Sequence, residues 1–245
     1  QDTQSGPIAQ VSGGSMVSYS VIPAIREASE EVRERLMKLA SEHFEASNSD
    51  LELHQGSIRV KGVPTQNISM AKLVKKAESS RGGEGPVMGS GTCSLPENAP
   101  AASVHWVKIK VDPETGKVTP LHYLAIQDVG FALNPMLIEG QIHGGVVQGL
   151  GWGMREGMEF DEQGQLLNPS FMDYALFRAD EIPPIDIELV EEPSPHGPYG
   201  IRGVGEPPIV PGAAAFASAL QNTVGIRMCE LPIHSEHLWQ AMKKD

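Results

Sequence analysis

The sequence predicts an α+β chain of two lobes, with mixed sheets and packed helices, and three observations carry that prediction. Apolar residues recur on one side of the stretch following Val21, at Ile25, Ala28, Val32, Leu36, Leu39, Ala40 and Phe44, the spacing of an amphipathic helix. Two alternating runs, Ser103 to Val111 and Val118 to Val129, flank Asp112-Pro113-Glu114-Thr115-Gly116-Lys117, a hairpin signal. Between the helix and these runs lies Ser79 to Pro100, rich in Gly, Ser and Pro, which reads as a long surface loop or as a linker between lobes. On this division residues 1–100 form the first lobe and 101–245 the second.

In chain order, Ser12-Gly13-Gly14-Ser15-Met16-Val17-Ser18 leads into the first helix. Two adjacent glycines between serines let backbone amides approach an anion, so the stretch is either a cradle for a phosphate or an oxygen-rich cofactor, or a flexible entry loop. Pro23 belongs in the helix's first turn, and the helix ends before Asn48-Ser49-Asp50. Leu51 to Val60 alternates around Gln55-Gly56 as a small hairpin, and a short helix covers about Ser69 to Lys76.

Asn134 suits an N-cap and Pro135 a first helical position, so a helix starts there and runs toward Gly157. It carries Gly140, Gly144, Gly145, Gly149, Gly151 and Gly153, each costing up to about 1 kcal/mol relative to alanine. Gly140 and Gly144, like Gly145 and Gly149, are four residues apart, so each pair opens one face to close backbone contact. Gln148 lies among them. It either serves a crowded site as donor and acceptor or is merely satisfied in tight packing. His143 has no second ligand at i+4 and reads as an ordinary core or surface histidine.

Met158 to Pro169 reads as a further hairpin around Asp161-Glu162-Gln163-Gly164, and Ile185 to Val190 as a strand. The proline-stiffened run Glu192 to Gly200 then delivers the chain to Arg202-Gly203-Val204-Gly205-Glu206-Pro207-Pro208. Here one acidic residue stands between two glycines and two prolines, at or just before a helix start, where peptide dipoles favour a carboxylate by up to about 1 kcal/mol. Such a residue is either a held catalytic base or a helix entrance with an acidic first turn. A small, apolar helix follows, from Ile209 to Leu220. Gly225 stops that helix, Ile226 to Cys229 reads as a short strand, and His234 to Met242 as a closing helix.

Composition narrows the function classes. The chain has 245 residues, 40% of them hydrophobic, enough for a real core. A formal net charge of -12 with scattered Lys and Arg argues against nucleic-acid binding. Two cysteines, Cys93 and Cys229, are too few for an iron-sulfur cluster or a disulfide framework and suggest a reducing, cytoplasmic setting. No stretch approaches a membrane span and no signal peptide opens the chain, which starts without an initiator methionine, as a processed subunit or an excised fragment would.

Taken together, Gln141-Ile142-His143-Gly144-Gly145-Val146-Val147-Gln148-Gly149-Leu150-Gly151, Gly203-Val204-Gly205-Glu206-Pro207-Pro208, Gly212-Ala213-Ala214-Ala215 and the tail Gly225-Ile226-Arg227 resemble the molybdenum-binding part of the xanthine dehydrogenase and aldehyde oxidase family. The resemblance runs along the whole chain. It implies that Glu206 is the family's essential glutamate and the base of the reaction, with Gly205 beside it at the cofactor. It also implies that Gln148 lies close to the molybdenum and its pterin, and that Gly13, Gly14, Ser15, Met16 and Val17 form the loop that holds the cofactor through backbone amides. Many bacterial relatives have Arg where Met16 stands, which takes away a charged contact to cofactor phosphates. No residue of the chain is implied as a metal ligand, since the pterin sulfurs bind the metal.

The resemblance further implies a hydroxylase acting on an aldehyde or N-heterocycle, with molybdenum-molybdopterin as the cytosine dinucleotide. Iron-sulfur clusters and FAD would sit on partner chains, for which this chain has neither the cysteines nor a nucleotide fingerprint. The family's molybdenum region is two to three times this length, so the chain reads as its C-terminal portion. Its partners would be the remaining molybdenum-binding region, an iron-sulfur subunit and a flavin subunit. The rival reading is a non-catalytic structural or assembly module that keeps the fold.

Overall fold

The computed structural model describes residues 4, 6–9, 11–79, 85–94 and 97–243. The chain divides into two compact units, Ser20–Pro96 and Gln1–Tyr19 with Glu97–Asp245. This division differs from the lobes expected from sequence, because the N-terminal loop groups with the C-terminal part. Two contacts explain the difference. The Ser15 side chain bonds the backbone at Glu206, and the buried Tyr19 donates its hydroxyl to the Glu97 carbonyl.

The smaller unit is built on α1 (Val17–Phe44), a three-stranded antiparallel sheet of β1 (Leu51–His54), β2 (Ser57–Val60) and β3 (Val63–Ser69), and α2 (Met70–Ser79). Leu36, Met37 and Ala40 of α1 meet Leu51, Ile58 and Leu73 in its core. Helix α1 starts earlier than the apolar pattern predicts, so Pro23 lies inside the helix and costs it one backbone hydrogen bond. The β1–β2 hairpin turns at Gln55-Gly56, both in the left-handed region, as the sequence indicates. Strand β3 was not foreseen, for it is polar, carries Pro64 and stays largely exposed. The segment read as a loop or linker is held along α1. The amides of Ser90 and Thr92 donate to Glu31 and Glu27, and a Cβ at Gly89 or Gly91 would strike the helix backbone at Ala28 or Ala24. The Arg81-Gly82-Gly83-Glu84 part of that segment lies outside the described residues.

The larger unit contains β4 (Ser103–Val111), β5 (Val118–Asp128), α3 (Pro135–Met154), β6 (Ile185–Val190), α4 (Gly212–Val224) and α5 (Ser235–Met242). Strands β4 and β5 form the expected antiparallel hairpin, with a register shift where Pro120, which has no N–H, faces Ile109. Strand β6 pairs parallel to β5, so α3 is the crossover between them and the two strands end side by side. Asn134 caps α3 by accepting the Leu137 amide, and Gly225, left-handed at φ 78°, ends α4.

Tyr123, Ile142, Val146, Leu150, Phe216, Leu220 and Leu238 fill the core between sheet and helices. Each such buried aliphatic or aromatic side chain contributes about 1.5–3 kcal/mol. Tyr123 shares a hydrogen bond of 2.9 Å with His105 Nδ1, and burial pulls the His105 pKa down to about 4.

One expectation fails here and another is met only in miniature. Ile226 to Cys229 is not a strand, and Met158 to Pro169 holds one isolated bridge, Phe160 to Leu166, around a turn capped by Asp161. The four residues Ile226 to Cys229 find no partner strand among the described residues, and the Asn168 side chain accepts the Glu159 amide that a longer ladder would have used. Among the described residues, no helix is long and apolar enough to cross a membrane.

Candidate functional site

The chain leaves β6 and returns along the neighbouring end of β5, and that return is pinned before it reaches Glu206. Ser194, buried, accepts the amides of His196 and Gly197, which compacts the proline-rich loop. Arg202 then docks on β5. Its amide donates to the Val129 carbonyl at 3.0 Å, Nη1 to the Pro100 carbonyl at 2.6 Å and Nη2 to the Glu192 carbonyl at 3.2 Å. Its Nε lies 2.9 Å from Asp128 Oδ2, a charge contact without hydrogen-bond alignment, while Asp128 Oδ1 accepts the Gly130 amide. Both side chains are largely buried, at 14% and 16% exposure, so the ion pair is screened little by water. Sequence reading assigned no role to Asp128 or Arg202. The available signal was a strand ending in an acid just before a glycine, and an arginine just before Gly203.

Beyond Arg202, the backbone passes Gly203, Val204 and Gly205 to Glu206, whose amide donates to Ser15 Oγ at 2.7 Å. Gly14 and Ser15 are both left-handed, at φ 63° and 58°, so the loop turns sharply beside the Glu206 segment. The amides of Gly14 and Ser15 have no acceptor among the described residues, whereas Gly13 donates to Val11 and Met16 to Gly13. Val17 is the first residue of α1.

Glu206 itself is exposed, and its carboxylate makes no hydrogen bond or ion pair among the described residues. It precedes a single 3₁₀ turn, Pro207–Ile209, and α4 begins only at Gly212. The full helix dipole expected at Glu206 is therefore displaced along the chain. Pro208, buried, carries the turn onto α3: a Cβ at Gly145 would lie 2.7 Å from Pro208 Cβ, and one at Gly149 would lie 2.8 Å from the Ile209 carbonyl.

Gln148 sits on α3 between the packed Gly145 and Gly149, but its side chain is exposed and without a partner among the described residues. The crowding expected around it is absent, because helical spacing turns Gln148 toward Gly144, where a Cβ would meet no atom within 4 Å. His143 is exposed too and bonds only the Glu139 carbonyl.

The structure thus brings together Ser15, Gly203, Gly205 and Glu206, and sets the α3 segment bearing Gln148 against the turn that follows. No group of three or more His, Cys, Asp or Glu side chains converges among the described residues. What the site offers is unpaired main-chain donors at Gly14 and Ser15, an unpaired carboxylate, an unpaired amide and an open glycine face. The free N–H donors suit an oxygen-rich, anionic cofactor held by the chain rather than a metal held by side chains, and the carboxylate is left open to accept a proton.

A family model described as "Molybdopterin cofactor-binding domain" matches residues 1–183. The chain belongs to that family. The chain is 32% identical over 244 residues to the xanthine dehydrogenase molybdenum-binding subunit of Escherichia coli, covering 98% of this chain and 32% of that protein. It is 35% identical over 223 residues to the 6-hydroxypseudooxynicotine dehydrogenase complex subunit gamma of Paenarthrobacter nicotinovorans, covering 88% and 28%. Among solved structures, a reconstituted CO dehydrogenase from Oligotropha carboxidovorans matches with a TM-score of 0.84 at 28% identity, over 99% of this chain and 31% of that one.

The chain spans about a third of the length of the curated relatives it matches. The resemblance to the molybdenum-binding part of the xanthine dehydrogenase and aldehyde oxidase family is borne out, and so is the α+β fold class. The family match ends before Gly203, whereas the likeness to the Escherichia coli subunit extends over nearly the whole chain.

Proposed function

We propose that this chain is the part of a molybdenum hydroxylase that supplies the catalytic base and one wall of the cofactor site, with Glu206 as the base. The observation that carries the reading is the exposed, unpaired Glu206 carboxylate on a backbone tied down at Ser15 and at Arg202. A group in that state is poised to take a proton without first breaking an internal bond.

In this reading the amides of Gly14 and Ser15 hold the cofactor, Gly13 and Gly205 lie beside it, and Gln148 points to it from the open face of α3. Met16 and Val17 line the same loop. Molybdenum-molybdopterin, as the cytosine dinucleotide, supplies the two-electron oxidation when bound. Glu206 removes the proton from the water-derived nucleophile that attacks an electron-poor carbon of an aldehyde or N-heterocycle. The carboxylate then returns its proton to solvent, to which it is open.

Partner chains complete the machine: the remaining molybdenum-binding region, an iron-sulfur subunit and a subunit carrying FAD, all cytoplasmic. The test is to purify the complex containing this chain, measure molybdenum and pterin per chain, and screen xanthine, benzaldehyde, nicotinate and carbon monoxide as reductants. The reading expects stoichiometric cofactor and turnover of one of these classes by the complex, with none by the isolated chain. A complex that lacks molybdenum, or an isolated chain that turns over, contradicts it.

A further inference from the structure

We infer that Ser15 is the positioning residue for Glu206. This rests on the reading of Glu206 as the base, and it assigns the Ser15 side chain to the protein's own carboxylate-bearing segment.

Three observations converge. Ser15 Oγ accepts the Glu206 amide at 2.7 Å across a sequence separation of 191. Ser15 holds a left-handed backbone at φ 58°, which a glycine would adopt without strain, so the conformation favours glycine and the side chain is what a glycine would forfeit. Opposite it stand Gly203 and Gly205, neither of which has a positive φ. They are needed for space. A Cβ at Gly203 would come within 2.7 Å of Ser15 Cβ and 3.1 Å of the Ser15 carbonyl oxygen, and one at Gly205 within 3.3 Å of Ser15 Oγ. The two glycines ahead of Glu206 thus accommodate Ser15.

The consequence for the carboxylate follows from what else holds it. Among the described residues, no hydrogen bond or ion pair holds the Glu206 carboxylate, so its place is set chiefly through the main chain. On the far side Pro207 fixes the next φ. On the near side the nearest tie after Ser15 is Arg202, four residues back, with two glycines between. Removing the Ser15 oxygen frees the Gly203–Glu206 link to swing and leaves the carboxylate present but misplaced.

The experiment uses the intact molybdenum enzyme containing this chain, as wild type, Ser15→Ala and Ser15→Gly, each with Glu206 and with Glu206→Gln. The probe is whichever of xanthine, benzaldehyde, nicotinate and carbon monoxide reduces the wild-type enzyme fastest. Ser15→Gly relieves the left-handed strain, so it keeps the test valid if the alanine variant folds poorly.

Faster hydrogen exchange at the Glu206 amide in both variants reads the contact directly, and molybdenum and pterin content are expected to stay at the wild-type level. We expect kcat to fall about 10- to 100-fold, as misplacement of a reacting group does, with KM changed less than about threefold. In the Glu206→Gln background the same substitutions should cost less than about twofold more, since there is no base left to misplace.

Unchanged amide exchange overturns the Ser15 contact while leaving the base reading intact. Loss of cofactor in step with rate, or equal losses in both backgrounds, overturns the positioning role. Glu206→Gln without any effect on rate overturns the base reading itself, and the positioning role with it.

Discussion

Gly145 and Gly149 face the 3₁₀ turn and the start of α4, where no Cβ fits, while Gly140 and Gly144, equally spaced on the same helix, have no atom of the described residues within 4 Å of where a Cβ would stand. On the packed side the two backbones nearly touch: a Cβ at Gly212 would lie 2.6 Å from Gly149 Cα, and one at Gly153 would lie 3.1 Å from Phe216. The helix-propensity cost of those glycines is recovered inside the chain as close approach of α3 to α4 and Pro208. For Gly140 and Gly144 the same cost of about 1 kcal/mol each has no return within the described residues. Identical spacing therefore carries two meanings. Close packing was expected of both pairs from the sequence, and it holds for one.

The comparison can be broken most forcefully at Gly145. Gly145→Leu must displace Pro208 and the turn that follows Glu206, and should destabilise the fold by about 3 kcal/mol or more, lowering the melting temperature by roughly 6–12 °C. A calorimetric melt unchanged by this variant would mean that the α3–turn contact is not tight.

Gly149→Ala is the next largest, since the added methyl meets the Ile209 carbonyl at 2.8 Å and Gly212 Cα at 2.9 Å. A loss of about 1–3 kcal/mol in denaturant unfolding is expected. Gly144→Ala should act in the opposite direction. With no atom within 4 Å, the methyl adds helix propensity and stabilises the chain by up to about 1 kcal/mol. If Gly144→Ala nevertheless lowers molybdenum content in the assembled enzyme, the open face is a cofactor face, and the two pairs differ in partner as well as in packing.

Acid provides the smallest contrast between the faces. His105 is neutral in the fold down to about pH 4 because burial disfavours its charged form, while the unfolded chain titrates near pH 6.5. The lowered folded pKa means that the unfolded state binds more protons in this window. Stability should thus fall as pH drops from about 6.5 toward about 4, by the same amount in wild type and in both alanine variants. His105→Gln should flatten that decline. A steeper acid loss in the Gly149 variant than in the Gly144 variant would show that the sheet and the α3–α4 contact are coupled.

Local signals account for what could be read from the chain beforehand. The Asn134-Pro135 start of α3, the Gln55-Gly56 turn, the Asp112 to Lys117 hairpin and the Gly225 stop each rest on residues within a few positions of the feature they specify. The features that escaped depend on distant partners. Strand β3 is polar and exists because β2 offers it an edge, and Gly144 differs from Gly145 only in what the fold brings beside it. Glu206 was legible as a candidate from its glycine and proline neighbours. That those glycines make room for Ser15 was not, since the two segments meet only in the folded chain.

The most direct measurement is single-turnover reduction of the assembled enzyme under anaerobic conditions, comparing wild type with Glu206→Gln at equal molybdenum and pterin content. Glutamine keeps the volume of the side chain and the backbone bond to Ser15 while removing the base. A general base accounts for about 10²- to 10⁴-fold, so the account predicts a fall in the rate of substrate-driven reduction within that range and an unchanged melting temperature. A loss smaller than about tenfold, equivalent to only about 1.4 kcal/mol of barrier, would contradict the assignment of Glu206 as the base.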